Sequence, residues 1–69
     1  MNSAELSKRF TSHAPKNDQD DRYNKIRYFA FEFAKVINTI TPESREQSLA
    51  ITALEEAVFW ANAGIARNE

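Results

Sequence analysis

Proton transfer near neutral pH is the work of histidine and of carboxylates, and this sequence carries one histidine, His13, and an adjacent acidic pair, Glu55-Glu56. His13 lies in a Pro-containing stretch and the glutamates in a helical one, with no nucleophile elbow, Gly-rich phosphate loop or metal-ligand spacing around them. Glutamates on a helix ordinarily form a solvated face, and a lone loop histidine is ordinarily polar surface. No catalytic residue is therefore assigned, and an enzyme is not expected. The absence of cysteine rules out disulfides and thiolate zinc sites, and a single histidine makes a poor metal site, so no metal or cofactor is expected.

A second group suits binding. Lys25, Arg27, Tyr28, Phe31 and Lys35 recur within one amphipathic segment and, projected at about 100° per residue, share its outer side. Rings that stack on bases, beside cations that meet phosphates, are a common grip on nucleotides. Periodicity does not separate that use from packing of Tyr28 and Phe31 against the first helix or a neighbouring subunit. A third group, Ser44-Arg45-Glu46-Gln47, opens a helix whose free N–H groups and nearby guanidinium suit a phosphate. An ordinary cap with a surface arginine explains the same residues, and Arg67 near the far end complements the helix dipole.

Three segments must position these groups. Residues 3–10, capped by Ser3, give two turns with Leu6 and Phe10 on one face, and TSHAPKND follows as a loop. Residues 18–40 form the second helix. It opens on Asp18, Asp20 and Asp21 and carries a core stripe of Ile26, Phe29, Ala30, Phe33, Val36, Ile37 and Ile40. After the turn at Thr41-Pro42, the third helix spans 44–67, with Ser44 and Gln47 in capping-box spacing; a start at Thr41 with Pro42 in the first turn is the alternative. Its apolar arc spans about 200°, twice what packing against one neighbour requires. Ala50, Ala53, Ala57, Ala61 and Gly64 offer a side for close approach of the second helix, which leaves Leu49, Trp60 and Phe59 wet unless a second copy covers them.

The expected architecture is all-α, one domain over residues 1–69: a short N-terminal helix plus an antiparallel two-helix hairpin, assembled as a helical homo-oligomer. A chain of 69 residues is marginal alone, and without disulfides or metal, oligomerisation is the remaining device. The net charge of −1 argues against DNA or RNA polymers as partners, although a ligand with two or three phosphates escapes that objection. No signal peptide or membrane span is expected, which points to an intracellular protein.

Taken in order, the strings RF-x-x-H-x-P, RY-x-x-IR and P-x-SREQSLA-x-x-x-LEEA-x-x-WANA-x-IAR cover nearly the whole chain, at Arg9-Phe10, His13, Pro15, Arg22-Tyr23, Ile26-Arg27 and residues 42–67. The sequence thereby resembles the phage anti-CBASS cyclic-oligonucleotide sponges of the anti-CBASS protein 2 type, whose hairpin domain is shared with an anti-Thoeris sponge. The resemblance implies a homohexamer in the cytoplasm of the infected bacterial host. It would sequester cyclic dinucleotides and cyclic trinucleotides, such as 3′,3′-cyclic GMP-AMP and cyclic tri-AMP, without cleaving them. It also implies that Ser12, His13, Lys25 and Arg27, with Tyr28 adjacent, serve a dinucleotide pocket between subunits, and that Arg67 serves a separate trinucleotide site. Relatives carry an aromatic residue before His-Pro-Pro where this chain has Ser12-His13-Ala14-Pro15. Loss of a base stack there removes about 1–3 kcal/mol unless Phe10 or Tyr28 compensates. A small helical module that docks on another protein through its surplus apolar face is the alternative reading.

Overall fold

The computed structural model describes residues 2–10 and 16–69, and for residues 8–10 the backbone alone. Three helices account for nearly all of them: α1 (Ser3–Phe10), α2 (Gln19–Ile40) and α3 (Arg45–Asn68). The last two pack as an antiparallel hairpin, and α1 forms no comparable interface with either. The N-terminus of α1 is capped by Asn2, not by Ser3: Asn2 Oδ1 accepts the Glu5 N–H at 2.8 Å. Ser3 is itself the first helical residue, so the side chain before it is the one placed to accept from the free N–H groups.

Asp18 precedes α2 without a side-chain cap bond, so Asp20 and Asp21 supply the negative charge at the helix dipole. The approach is held instead by Gln19, whose Oε1 accepts the Lys16 N–H at 2.9 Å, and by Asn17, which turns the chain at φ 49°. Asparagine is among the few side chains that tolerate this left-handed region. At the other end the start at Ser44 prevails over one at Thr41: Ser44 Oγ accepts the Gln47 N–H at 3.1 Å. The reciprocal half of the capping box is absent. Gln47 Nε2 donates to Thr41 O and Thr41 Oγ1, both at 3.1 Å, and to Asn38 O at 3.3 Å. The tight turn brings the free carbonyls at the end of α2 within reach of Gln47, and these take the amide that would otherwise return to its own cap.

The contact between α2 and α3 keeps Ile26, Ala30 and Ile37 of the expected stripe and departs from the rest of it. Among the half-buried residues, Tyr23, Ile26, Ala30, Ala34 and Ile37 on α2 and Gln47, Ile51, Leu54, Val58, Asn62 and Ile65 on α3 each form a set that recurs every three or four positions. These two stripes form the seam. Phe29, Phe33, Val36 and Ile40, assigned to the core from periodicity, stand 62%, 57%, 49% and 75% exposed. Ala50, Ala53, Ala57 and Ala61 are exposed too, and a side chain built on Gly64 would meet nothing within 4 Å. Close approach is provided by the small residues of α2, Ala30 and Ala34, which receive the larger Ile51, Leu54 and Val58. The alanines of α3 are not needed for it and face away.

No hydrophobic residue is buried among those described; the buried one is Gln19, at 4% exposure. The radius of gyration, 15.3 Å, exceeds the roughly 11 Å of a compact globule of this length. The accessible surface of 5574 Å² exceeds by roughly 1,200 Å² what a compact monomer of 7.9 kDa exposes. Contrary to the sequence expectation, α3 is long and apolar enough to cross a membrane by length and composition. Glu55 and Glu56 lie near its middle, where a charged side chain in hydrocarbon costs about 3 kcal/mol, and α2 covers one of its sides.

The open end of the hairpin is closed by Arg22, which pairs with Asp18 at 3.4 Å and hydrogen-bonds Glu69 at the end of α3. That bond to Arg22 holds the Glu69 carboxyl below the usual carboxylate range. A depressed folded-state value means that the contribution to stability is present above the unfolded value of about 4.3 and is lost as pH falls through the lower folded value. Glu69→Gln is accordingly expected to lower the melting temperature slightly at pH 7, with the difference from wild type vanishing in acid; an equal difference at both ends of the pH range contradicts this. Gln47→Ala removes the donor at the turn and is expected to cost about 1–2 kcal/mol in urea denaturation.

Candidate functional site

Positions along α2 decide which of its side chains meet α3 and which face outward. Ala30 lies on the seam. Arg27 and Phe31, three residues before and one after, fall on one flank and line a groove of about 360 Å³ with Ile51, Leu54 and Glu55. Arg27, Glu55 and Val58 continue into a neighbouring groove of about 450 Å³ that Tyr23, Phe59 and Asn62 also line. This flank is therefore mixed, with one guanidinium, one carboxylate and several rings along a single trough.

The Arg27 guanidinium is exposed and, among the described residues, hydrogen-bonds only Asn24 Oδ1, at 3.5 Å. No ion pair between Arg27 and Glu55 occurs among the described residues, so both charges remain available across the groove. Lys25 and Tyr28 lie outside this trough on the solvent side of α2, where the Tyr28 ring meets Phe29 edge-on at 5.4 Å. Lys35 is committed: its Nζ pairs with Glu32 at 2.7 Å and sits 4.7 Å from the Phe31 ring centroid. That contact leaves one face of Phe31 occupied by a cation and the ring 62% exposed.

Of the six residues expected to bind ligand, Ser12 and His13 lie outside the described residues. Arg27 lines the grooves; Lys25 and Tyr28 share the outer side of α2, and Arg67 is half-buried in the last turn of α3, lining neither groove. Arg45 is exposed in the first turn of α3, close to the cap formed by Ser44. Tyr23 and Asn62 belong to the trough and were not expected there. Asn62 Oδ1 is buried without a hydrogen-bond partner, an arrangement that costs about 1–3 kcal/mol when nothing bound supplies a donor. The sequence signal was a polar residue interrupting the three-and-four apolar spacing of α3, between Val58 and Ile65.

The Acb2/Tad1, hairpin domain, family model matches residues 2–66. The chain belongs to this family. No curated protein and no solved structure matches it. The match spans α1, α2 and nearly all of α3, so the family's domain is the whole observed architecture and not a fragment of it. The Acb2/Tad1 family is a binding family more than a catalytic one, and it fits an anti-defence sponge role.

For the hairpin itself, Asn62→Leu replaces the unsatisfied acceptor with an apolar group of similar size. The ligand-free variant is expected to be more stable than wild type by about 1 kcal/mol in thermal denaturation. A loss of stability would show that Asn62 holds the seam through a contact of its own.

Proposed function

We propose that the protein is a phage anti-defence sponge. It binds the cyclic di- and trinucleotide messengers of bacterial CBASS immunity and holds them uncleaved, as a homo-oligomer in the cytoplasm of the infected host. The observation that carries this reading is the family match over residues 2–66. The exposed Arg27 guanidinium and Tyr28 ring support it, because they combine a phosphate contact with a surface on which a base can stack.

In this reading Lys25 and Arg27 meet phosphates of a cyclic dinucleotide, Tyr28 stacks on a base, and Ser12 and His13 complete the pocket from the preceding loop. Arg67 serves a separate trinucleotide site. Neither role requires proton transfer or bond cleavage: the ligand is withdrawn from its effector by mass action. Sequestration is stoichiometric, so it demands tight binding, and a dissociation constant near 1 nM corresponds to about −12 kcal/mol. Such an affinity from so few side chains implies several charge-assisted contacts made at once, which a pocket shared between subunits provides.

A protein-docking module remains the competing reading, and the exposed Leu49, Phe59 and Trp60 favour it. Calorimetric titration distinguishes the two. The sponge binds 3′,3′-cyclic GMP-AMP, another cyclic dinucleotide or cyclic tri-AMP with measurable heat and releases it intact on denaturation. Absence of heat with all of them overturns the reading, and degraded nucleotide would make the protein an enzyme. Arg27→Ala is expected to weaken dinucleotide binding about 10- to 100-fold, as loss of a hydrogen bond to a charged group does, while leaving the helical circular dichroism unchanged.

A further inference from the structure

The two flanks of the hairpin differ in chemistry. One groove, of about 350 Å³, is walled by apolar side chains only, among them Phe29, Phe33, Ala57 and Ala61, and offers a nucleotide neither a hydrogen bond nor a counter-charge. The trough on the other flank carries Arg27 on its α2 wall and Glu55 on its α3 wall, with the Tyr23, Phe31 and Phe59 rings along it. A guanidinium there suits phosphate. Glu55 has no such use, because a carboxylate repels phosphate and accepts hydrogen bonds without donating any. Its neighbour in sequence is already engaged, since Glu56 Oε1 accepts from Trp60 Nε1 at 3.4 Å. The Glu55 carboxylate is exposed and makes no hydrogen bond or ion pair among the described residues.

We propose that Glu55 determines base specificity: resting on the sponge reading, it selects cyclic dinucleotides that contain guanine over those that contain only adenine. The Watson–Crick edge of guanine presents two adjacent donors, N1–H and the N2 amino group, which the two oxygens of one carboxylate accept side by side. Adenine presents on that edge a single donor, its N6 amino group, beside the N1 lone pair, which a carboxylate repels. Cytosine repeats the adenine pattern, and uracil flanks its one N–H with carbonyl oxygens. Of the four bases, guanine alone offers the matching pair. The walls of the trough agree with this orientation, because Arg27 on α2 draws the phosphates and Glu55 on α3 draws the base, with Phe31 and Phe59 as rings for stacking. Asn62 lies two turns further along the same side of α3, and its Oδ1 is buried without a donor. The α3 wall thus lacks donors and not acceptors, which a donor-rich base edge supplies.

Calorimetric titration with cyclic di-GMP, cyclic di-IMP and cyclic di-AMP tests the assignment. Wild type is expected to bind cyclic di-GMP about 10- to 100-fold more tightly than cyclic di-AMP, the factor carried by hydrogen bonds to a charged group. Cyclic di-IMP keeps N1–H but lacks the N2 amino group, so its affinity falls between the two. Glu55→Gln exchanges one carboxylate oxygen for an amide that donates to adenine N1, and it is expected to bring the affinities for cyclic di-GMP and cyclic di-AMP together. Glu56→Gln removes the same charge from the next position and leaves the wild-type ratio unchanged. Equal wild-type affinities, a ratio unaltered in Glu55→Gln, or the same change in Glu56→Gln overturns the proposal while the sponge reading stands. Absence of binding by all three overturns the proposal and, if cyclic tri-AMP gives no heat either, the sponge reading with it. If Glu55→Gln fails to fold, the order of the three ligands on wild type decides alone.

Discussion

Two helices packed side by side share one seam, and everything else in this protein follows from where that seam runs. Ala30 and Ala34 of α2 against Ile51, Leu54 and Val58 of α3 bring the helices together with small residues on one side and large on the other. A helix turns by about 100° per residue, so a shift of the seam by one position on α2 would rotate every other side chain by that angle. Arg27 would leave its trough and Phe33 would leave the apolar flank. The separation of a charged, aromatic side from a purely apolar one is thus a consequence of the seam and not an independent feature.

The seam is generic, since apolar contacts of this size have little directional preference, and the directional contacts lie at its two ends. Gln47 ties the start of α3 to three acceptors on Asn38 and Thr41, and Arg22 ties the start of α2 to Glu69. The second adds little to stability because its charges are solvated. The effect of the two is on register, because a slide of either helix breaks both at once. Asn62 runs against this economy: it occupies a seam position with its carbonyl oxygen unpaired, the kind of local inconsistency expected where a surface is shaped for binding.

The helices were legible in the sequence because the signals for them are local: Asp-rich and Ser-capped starts, a Thr-Pro turn, and sustained three-and-four spacing. The family was legible too, from the long string that ends in WANAGIAR. The packed face was legible only in part: Ile26, Ala30 and Ile37 of the expected stripe lie on the seam, while Phe29, Phe33, Val36 and Ile40 do not. In α2 the apolar arc is wide enough to be centred in two ways, on Phe29, Phe33 and Val36 or on Ala30 and Ala34 with Ile26 and Ile37, and the expected stripe straddled the two, with Ala34 left out of it. Shape decides for the second, since bulky residues on both helices would hold their axes apart. The same ambiguity misplaced the alanines of α3. In the site, the outward positions of Lys25 and Tyr28 follow from periodicity alone, whereas the pairing of Arg27 with Tyr23 and Asn62 in one trough depends on the seam and was out of reach.

A protomer with no buried hydrophobic side chain among its described residues has little folding free energy to offer by itself, so the proposed assembly would draw on the same apolar surface as folding. For an enzyme this would be a weakness, because catalysis depends on a site held rigid before substrate arrives. A stoichiometric binder has another requirement, which is sites per unit of chain synthesised, and a minimal hairpin of the proposed kind, completed by its neighbours, would meet it with little surplus structure. If the ligand bridges subunits, binding adds its free energy to the assembly, by RT ln(1 + [L]/Kd), and so strengthens the fold when the messenger is abundant. On the proposed reading, the exposed apolar surface of the single chain and the capture of a small polyanion are in that sense one property: a molecule left incomplete as a monomer would be completed by its own copies and tightened by what it captures.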